Sequence, residues 1–191
     1  MTDPSIARLN AIPWVASLIH DPKWTRVQTI SRVLQSSGED SFYSETLATD
    51  RTMRSCLTLL PAVEADAKIA FREVLWIVEL GDGLNGYPGT LHGGMAATLL
   101  DEVCGILLQS NAAKASERAR TGTTDRLDEY MTAYLNTTYK KPIPVPGTIL
   151  CTARFEREEG RKLYVRGTIE DGSGTIYTIG EALFIKLKPK M

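Results

Sequence analysis

The fold turns on Gly86–Gln109, GYPGTLHGGMAATLLDEVCGILLQ, where a turn rich in glycine and proline runs straight into an apolar segment. From Gly93 to about Ser110 the pattern predicts one helix that is apolar on nearly every side, with Met95, Leu99, Leu100, Val103, Ile106 and Leu107 spread around it. A helix of that kind is buried rather than laid on a surface. Two adjacent carboxylates, Asp101 and Glu102, interrupt it and need a reason.

Upstream, KIAFREVLWIVEL, which starts at Lys68, is rich in β-branched and aromatic residues and is closed by GDGLNG, so it reads as a strand and a turn. Downstream, NAAKASERARTGTTDRLDE (111–129) is polar and charged and reads as a loop. The remainder reads as four strands: MTAYLNTTYKKPIPVPG, TILCTARFERE, RKLYVRGTIED and GTIYTIGEALFIKLK. EEGR and DGSG are turn signals, so the last three strands should form an antiparallel meander. One apolar helix among five strands hides its surface most economically inside an antiparallel sheet wrapped around it, an α+β architecture. The first 65 residues differ: PWVASLIH, WTRVQTISRVLQ and SETLATDRTMRSCLTLL read as short amphipathic helices. The expected organisation is an N-terminal helical extension, 1–65, used for packing or as a lid, and a main domain, 66–191.

The 22 Lys+Arg and 23 Asp+Glu give a net charge of -1, so bulk charge points to no nucleic acid or anionic membrane as partner. No apolar run approaches the roughly 20 residues needed to span a bilayer. Three widely spaced cysteines, Cys56, Cys104 and Cys151, fit a reducing compartment, and the start lacks a secretory or transit pattern, so a cytoplasmic protein is expected. The N-terminal segment carries no metal-ligand spacing, and no metal or cofactor is expected.

The chemistry centres on the helix start. Gly93 and Gly94 leave the first backbone N–H groups without intrahelical partners and without bulky side chains in the way. The exposed donors and the helix dipole suit a carbonyl oxygen that becomes an oxyanion, where one donor is worth about 3 kcal/mol. The same glycine pair could equally serve close helix-to-sheet packing. Asp101 follows His92 by nine residues and lies about 12 Å from the helix start on a helix rising about 1.5 Å per residue. That separation is too large for one carboxylate and one helix end of the same chain to act on one carbonyl carbon. A second copy could supply the missing half. Small neighbours at helical spacing, Ala97, Thr98, Cys104 and Gly105, permit close approach to Asp101. Glu102 projects about 100° away, and for either carboxylate a solvated helix edge or a buried ion pair with a sheet arginine would also account for the charge.

The segments GTLHGGMAATLLDE, MTAYLNTTYKKPIPVPG and GEALFIKL, in this order, resemble the hotdog-fold thioesterases, and more narrowly the PaaI-type acyl-CoA thioesterases. The resemblance covers about residues 70 to 187. It implies a hotdog fold whose subunits pair their sheets edge to edge, as a dimer or a dimer of dimers, with active sites at the subunit interface. In the matching pattern the Gly93 amide polarises the thioester carbonyl. Asp101 of the other subunit acts as general base or nucleophile, and Thr132 places the water or the carboxylate. His92 becomes a positioning residue near the helix start, beside Gly94. An Asn or Gln often stands six residues before the histidine; Gly86 occupies that place here, and Asn85, one position earlier, is the candidate contact.

The expected activity is hydrolysis of an acyl thioester, with coenzyme A as the family's usual carrier. Arg157, Arg161 and Lys162 are candidates for its phosphates, or plain solvated turn charges. Two alternatives are release of an acyl or polyketide chain from an acyl carrier protein, and a non-catalytic acyl-binding protein.

Overall fold

A computed structural model describes residues 4–119 and 129–187. In chain order the elements are helices α1 (Pro4–Asn10) and α2 (Pro13–His20), strands β1 (Trp24–Val27), β2 (Met53–Pro61), β3 (Glu73–Leu80), β4 (Asn85–Tyr87) and β5 (Thr90–Leu91), helix α3 (Gly93–Ala119), and strands β6 (Tyr130–Tyr139), β7 (Gly147–Glu159), β8 (Lys162–Glu170) and β9 (Ile176–Lys186). The large antiparallel sheet has the order β1-β2-β3-β7-β8-β9-β6. It curls around α3, whose Leu99, Leu100, Val103 and Leu107 are fully buried. The meander β7-β8-β9 is as the turn signals predict.

Strand β3 reads as a continuous apolar run because both of its faces are covered. Val74, Trp76, Val78 and Leu80 join the cluster around α3, while Leu75 and Ile77 face a second cluster that includes Leu9, Val15 and Ile19 of the N-terminal helices. The extension therefore wraps the sheet. Helices α1 and α2 cover its back, and residues 29–47 return to the α3 side, where Tyr43 packs edge-on against Trp76 at 6.1 Å and donates a hydrogen bond to the Thr98 carbonyl at 2.9 Å.

Three expectations are corrected. WTRVQTISRVLQ and SETLATDRTMRSCLTLL are not mainly helical: each supplies an antiparallel strand, β1 and β2, and β2 pairs along β3. A short apolar run such as SCLTLL fits a strand buried on both faces as well as a helix, and here pairing with β3 decides. The sheet accordingly runs across residue 65, the position of the expected domain boundary. Helix α3 extends to Ala119 rather than ending near Ser110, so the first half of the expected 111–129 loop is helical; residues 120–128 lie outside those described. The added turns are held from outside. Asn111 accepts from the Phe71 N–H at 2.9 Å and donates to the Phe71 carbonyl at 2.8 Å, while Lys114 and Arg118 both pair with Glu64. Among the described residues no helix is long and apolar enough to cross a membrane.

Candidate active site at the two ends of an edge strand

Among the described residues strand β6 lies at the sheet edge, with β9 as its one ladder partner. Along most of its length Leu135, Thr137 and Tyr139 face Ala182, Gly180 and Thr178 on the inner side, toward α3. Strict alternation would send Thr132, three residues before Leu135, to the outer face. The ladder is interrupted between Thr132 and Tyr134, with Thr132 opposite Phe184 and Tyr134 opposite Leu183, so Ala133 is an extra residue. This β-bulge restores Thr132 to the inner face, the re-aiming that bulges commonly perform. Thr132 Oγ1 consequently donates to Asp101 Oδ1 at 2.8 Å. One oxygen of the carboxylate is thereby held.

The helix start lies at the opposite end of β6. The β4–β5 hairpin sets Asn85 opposite Leu91 and Gly86 against His92, so closely that a Cβ on Gly86 would stand 2.9 Å from the His92 Cα. His92 follows directly, and its backbone N–H donates to the Leu84 carbonyl at 2.9 Å. Its Nδ1 accepts the Gly94 N–H at 3.0 Å, which commits that amide and leaves Nε2 outward. The Gly93 N–H has no hydrogen-bond partner among the described residues. Tyr139 flanks it: the phenol donates to the Gly93 carbonyl at 3.0 Å, and the ring lies 3.5 Å from where a Gly93 Cβ would be. Sequence reasoning passed over Tyr139, because its role depends on which face of β6 it occupies and the bulge that sets the face carries no residue signature.

Glu102 is separated from this chemistry. It packs beneath residues 29–47, and burial, followed by the nearby Asp40 and Asp101 charges, lifts its carboxyl from 4.5 to about 7, although Ser31 alongside favours the ionised form. The Ser31 hydroxyl is buried yet completes no hydrogen bond among the described residues, and no arginine pairs with Glu102 there. Burial, then Glu102 and Asp101, also hold the Tyr43 phenol well above its ordinary range, so it stays a neutral donor. Arg157 is committed to Glu159 at 2.8 Å and to the Tyr164 ring, away from the helix start. Among the described residues no group of His, Cys, Asp and Glu is arranged to hold a metal.

The curled antiparallel sheet around one long helix has counterparts among known proteins. Residues 88–178 match the family model of the thioesterase superfamily. Over this segment the chain is similar to that superfamily. The acyl-coenzyme A thioesterase THEM4 of Mus musculus is 39% identical over 108 residues, which cover 56% of this chain and 40% of that protein. The Rattus norvegicus protein of the same name is 35% identical over 121 residues, covering 63% and 46%. The chain thus spans less than half the length of these two relatives. Among solved structures, zebra fish thioesterase superfamily member 2 superposes with a TM-score of 0.51 at 18% identity, over 70% of this chain and 81% of that one. A hypothetical thioesterase protein from Streptococcus pneumoniae TIGR4, solved with coenzyme A, gives 0.52 at 14%, over 65% and 89%. At these identities the likeness is one of fold, and the thioesterase hotdog fold is the one observed.

Proposed function

We propose that the protein hydrolyses an acyl-CoA thioester to the free acid and coenzyme A, at two sites formed between the subunits of a homodimer. The observation that carries this is the division of β6: the Asp101–Thr132 pair at one end, the free Gly93 N–H at the other, with an exposed edge between them. Met131, Tyr134 and Tyr139 are 60%, 43% and 55% exposed along that edge. A ten-residue unpaired edge with large apolar side chains is a template for pairing.

The side-chain faces restrict the register, and bringing Asp101 to the partner's amide end selects among those allowed. Opposed residues of an antiparallel pair share a face. A two-fold axis at Asn136 sets Leu135 against Thr137 of the partner and Tyr134 against its Thr138. Across the Ala133 bulge, Thr132 then meets the partner's Tyr139. Each Asp101 is thereby brought toward the partner's Gly93.

At such a junction the thioester oxygen accepts the Gly93 N–H, which stabilises the oxyanion as it forms. Asp101 of the other subunit takes a proton from water as the water oxygen bonds to the carbonyl carbon. Collapse breaks the C–S bond, and the thiolate leaves with the proton held by Asp101. Thr132 keeps the carboxylate aimed and His92 fixes the Gly94 peptide, so the neighbouring Gly93 amide is presented in one orientation. Asn85 and Gly94 stand beside this end as substrate contacts. The related mammalian enzymes are named for acyl-coenzyme A, which favours that carrier over an acyl carrier protein. Three free thiols favour a reducing compartment, and the cytoplasm is the location this reading takes.

Complementation tests the shared site. Asp101→Asn and Gly93→Pro should each lower thiol release from acyl-CoA by about 10²-fold or more, and proline is acceptable at a first helical position. Unfolding and re-annealing an equal mixture should restore about a quarter of wild-type activity, because half the dimers are mixed and each of these has one intact site. A mixture as inactive as its components would overturn the interfacial site, and an active Asp101→Asn would overturn the role of Asp101.

A further inference from the structure

Three glycines near the core have opposite surroundings. A Cβ on Gly167 or Gly180 would strike Leu100 side-chain carbons at 2.9 and 3.1 Å, so close packing accounts for both. Gly105, in the interior of α3, would meet nothing within 4 Å. Glycine is a poor helix-interior residue, and no contact inside the chain demands it here. The empty space is a cavity of about 640 Å³ that Gly105 itself lines, a volume within the range of small-molecule sites.

The cavity starts beside the candidate chemistry. Gly105 is one helical turn beyond Asp101 on the same face, and Met131, on its wall, precedes the Thr132 that holds the carboxylate. From Gly105 the floor follows Leu108 and Ala112 along α3, about 10 Å at about 1.5 Å per residue. Phe184 and Ile30 complete the apolar walls, and Gln35, Glu39 and Asp40 bring the N-terminal segment over as a roof with an acidic rim.

We propose that this cavity takes the hydrocarbon chain of the acyl group, that Gly105 keeps its entrance open, and that residues 30–40 close it and limit chain length. This rests on the thioesterase reading of Asp101. An apolar tail is favoured by the walls, and a terminal carboxylate is disfavoured by Glu39 and Asp40 at the rim. A floor of about 10 Å accommodates roughly eight methylenes, after which added length gains nothing.

The test separates the cavity from the chemistry. Binding of alkyl-CoA thioethers, which cannot be hydrolysed, should tighten by about fourfold per methylene and then level off in the wild-type protein. Gly105→Leu should remove that gain, lowering kcat/KM for the longer acyl-CoA esters by at least about tenfold, while acetyl-CoA binding and turnover stay unchanged. Gly105→Ala, which only improves the helix, should raise Tm by about 2–4 °C. Length-dependent thioether binding without any turnover would sink the thioesterase reading and keep the cavity. Equal loss for short and long esters in Gly105→Leu, or no dependence on length in the wild type, would overturn the cavity. So would conversion of Gly105→Leu to a monomer on gel filtration, since the space would then belong to a second copy of the chain.

Discussion

The two ends of β6 are built differently. At the Tyr130 end a bulge turns Thr132 onto Asp101, and the result is a positioned acceptor, a carboxylate. At the Tyr139 end the alternation is regular, the tyrosine ring covers Gly93, and the result is a positioned donor, a backbone amide. Acceptor and donor stand eight residues apart along α3, about 12 Å at about 1.5 Å per residue, too far for the two ends to act together on one carbonyl carbon within a single chain. The difference supports the proposed pairing of unlike strand ends across two subunits, with which the bulge keeps the side-chain faces compatible.

The comparison breaks most visibly at the carboxylate end. Thr132→Val keeps the strand and its inward face and removes the hydroxyl that holds Asp101. Turnover should fall by about 100-fold, with the sheet intact by circular dichroism; near-normal turnover would show that Asp101 needs no such partner. The amide end is more tolerant. Tyr139→Phe keeps the ring over Gly93 and removes one hydrogen bond to its carbonyl, so kcat/KM should fall only about fivefold, and a loss as large as that of Asp101→Asn would place Tyr139 in the chemistry itself. The smallest effect on activity belongs to Glu102, which shares the carboxylate end in sequence but not in space. Its folded-state value of about 7 stands above the ordinary 4.5, so its stabilising contribution is complete below pH 4.5 and is lost as pH rises through 7. Glu102→Gln should leave kcat near wild type and flatten the fall in Tm between pH 5 and pH 8. The pH-linked part amounts to at most about 3 kcal/mol. A variant whose pH–stability curve overlies that of the wild type would show that Glu102 is ionised throughout.

Much of this could be read from residues in order. The apolar run after Gly93 announced a buried helix, the paired glycines marked its start, and EEGR and DGSG marked the meander, because each signal is local. The N-terminal strands were not legible: Met53–Pro61 is largely buried and shows no alternation that separates it from a helix, Trp24–Val27 is only four residues long, and only their pairing partners settle both. The helical stretch 111–119 was hidden for a related reason. Its polarity suggested a loop, whereas Asn111, Lys114 and Arg118 find partners on the chain before β3, 40 or more residues away.

By itself, then, the order of residues determined that a helix bearing Asp101 begins at an unobstructed pair of glycines, and that the two features lie too far apart along one axis to cooperate. Tertiary structure decided which of the adjacent carboxylates faces Thr132 and which is shut beneath residues 29–47. It also decided that Thr132 points inward at all. The physical reason is reach: helical spacing and glycine chemistry act over a few residues, whereas side-chain direction on an edge strand depends on an extra residue in a ladder with β9, and burial of Glu102 depends on a segment some 60 residues earlier in the chain.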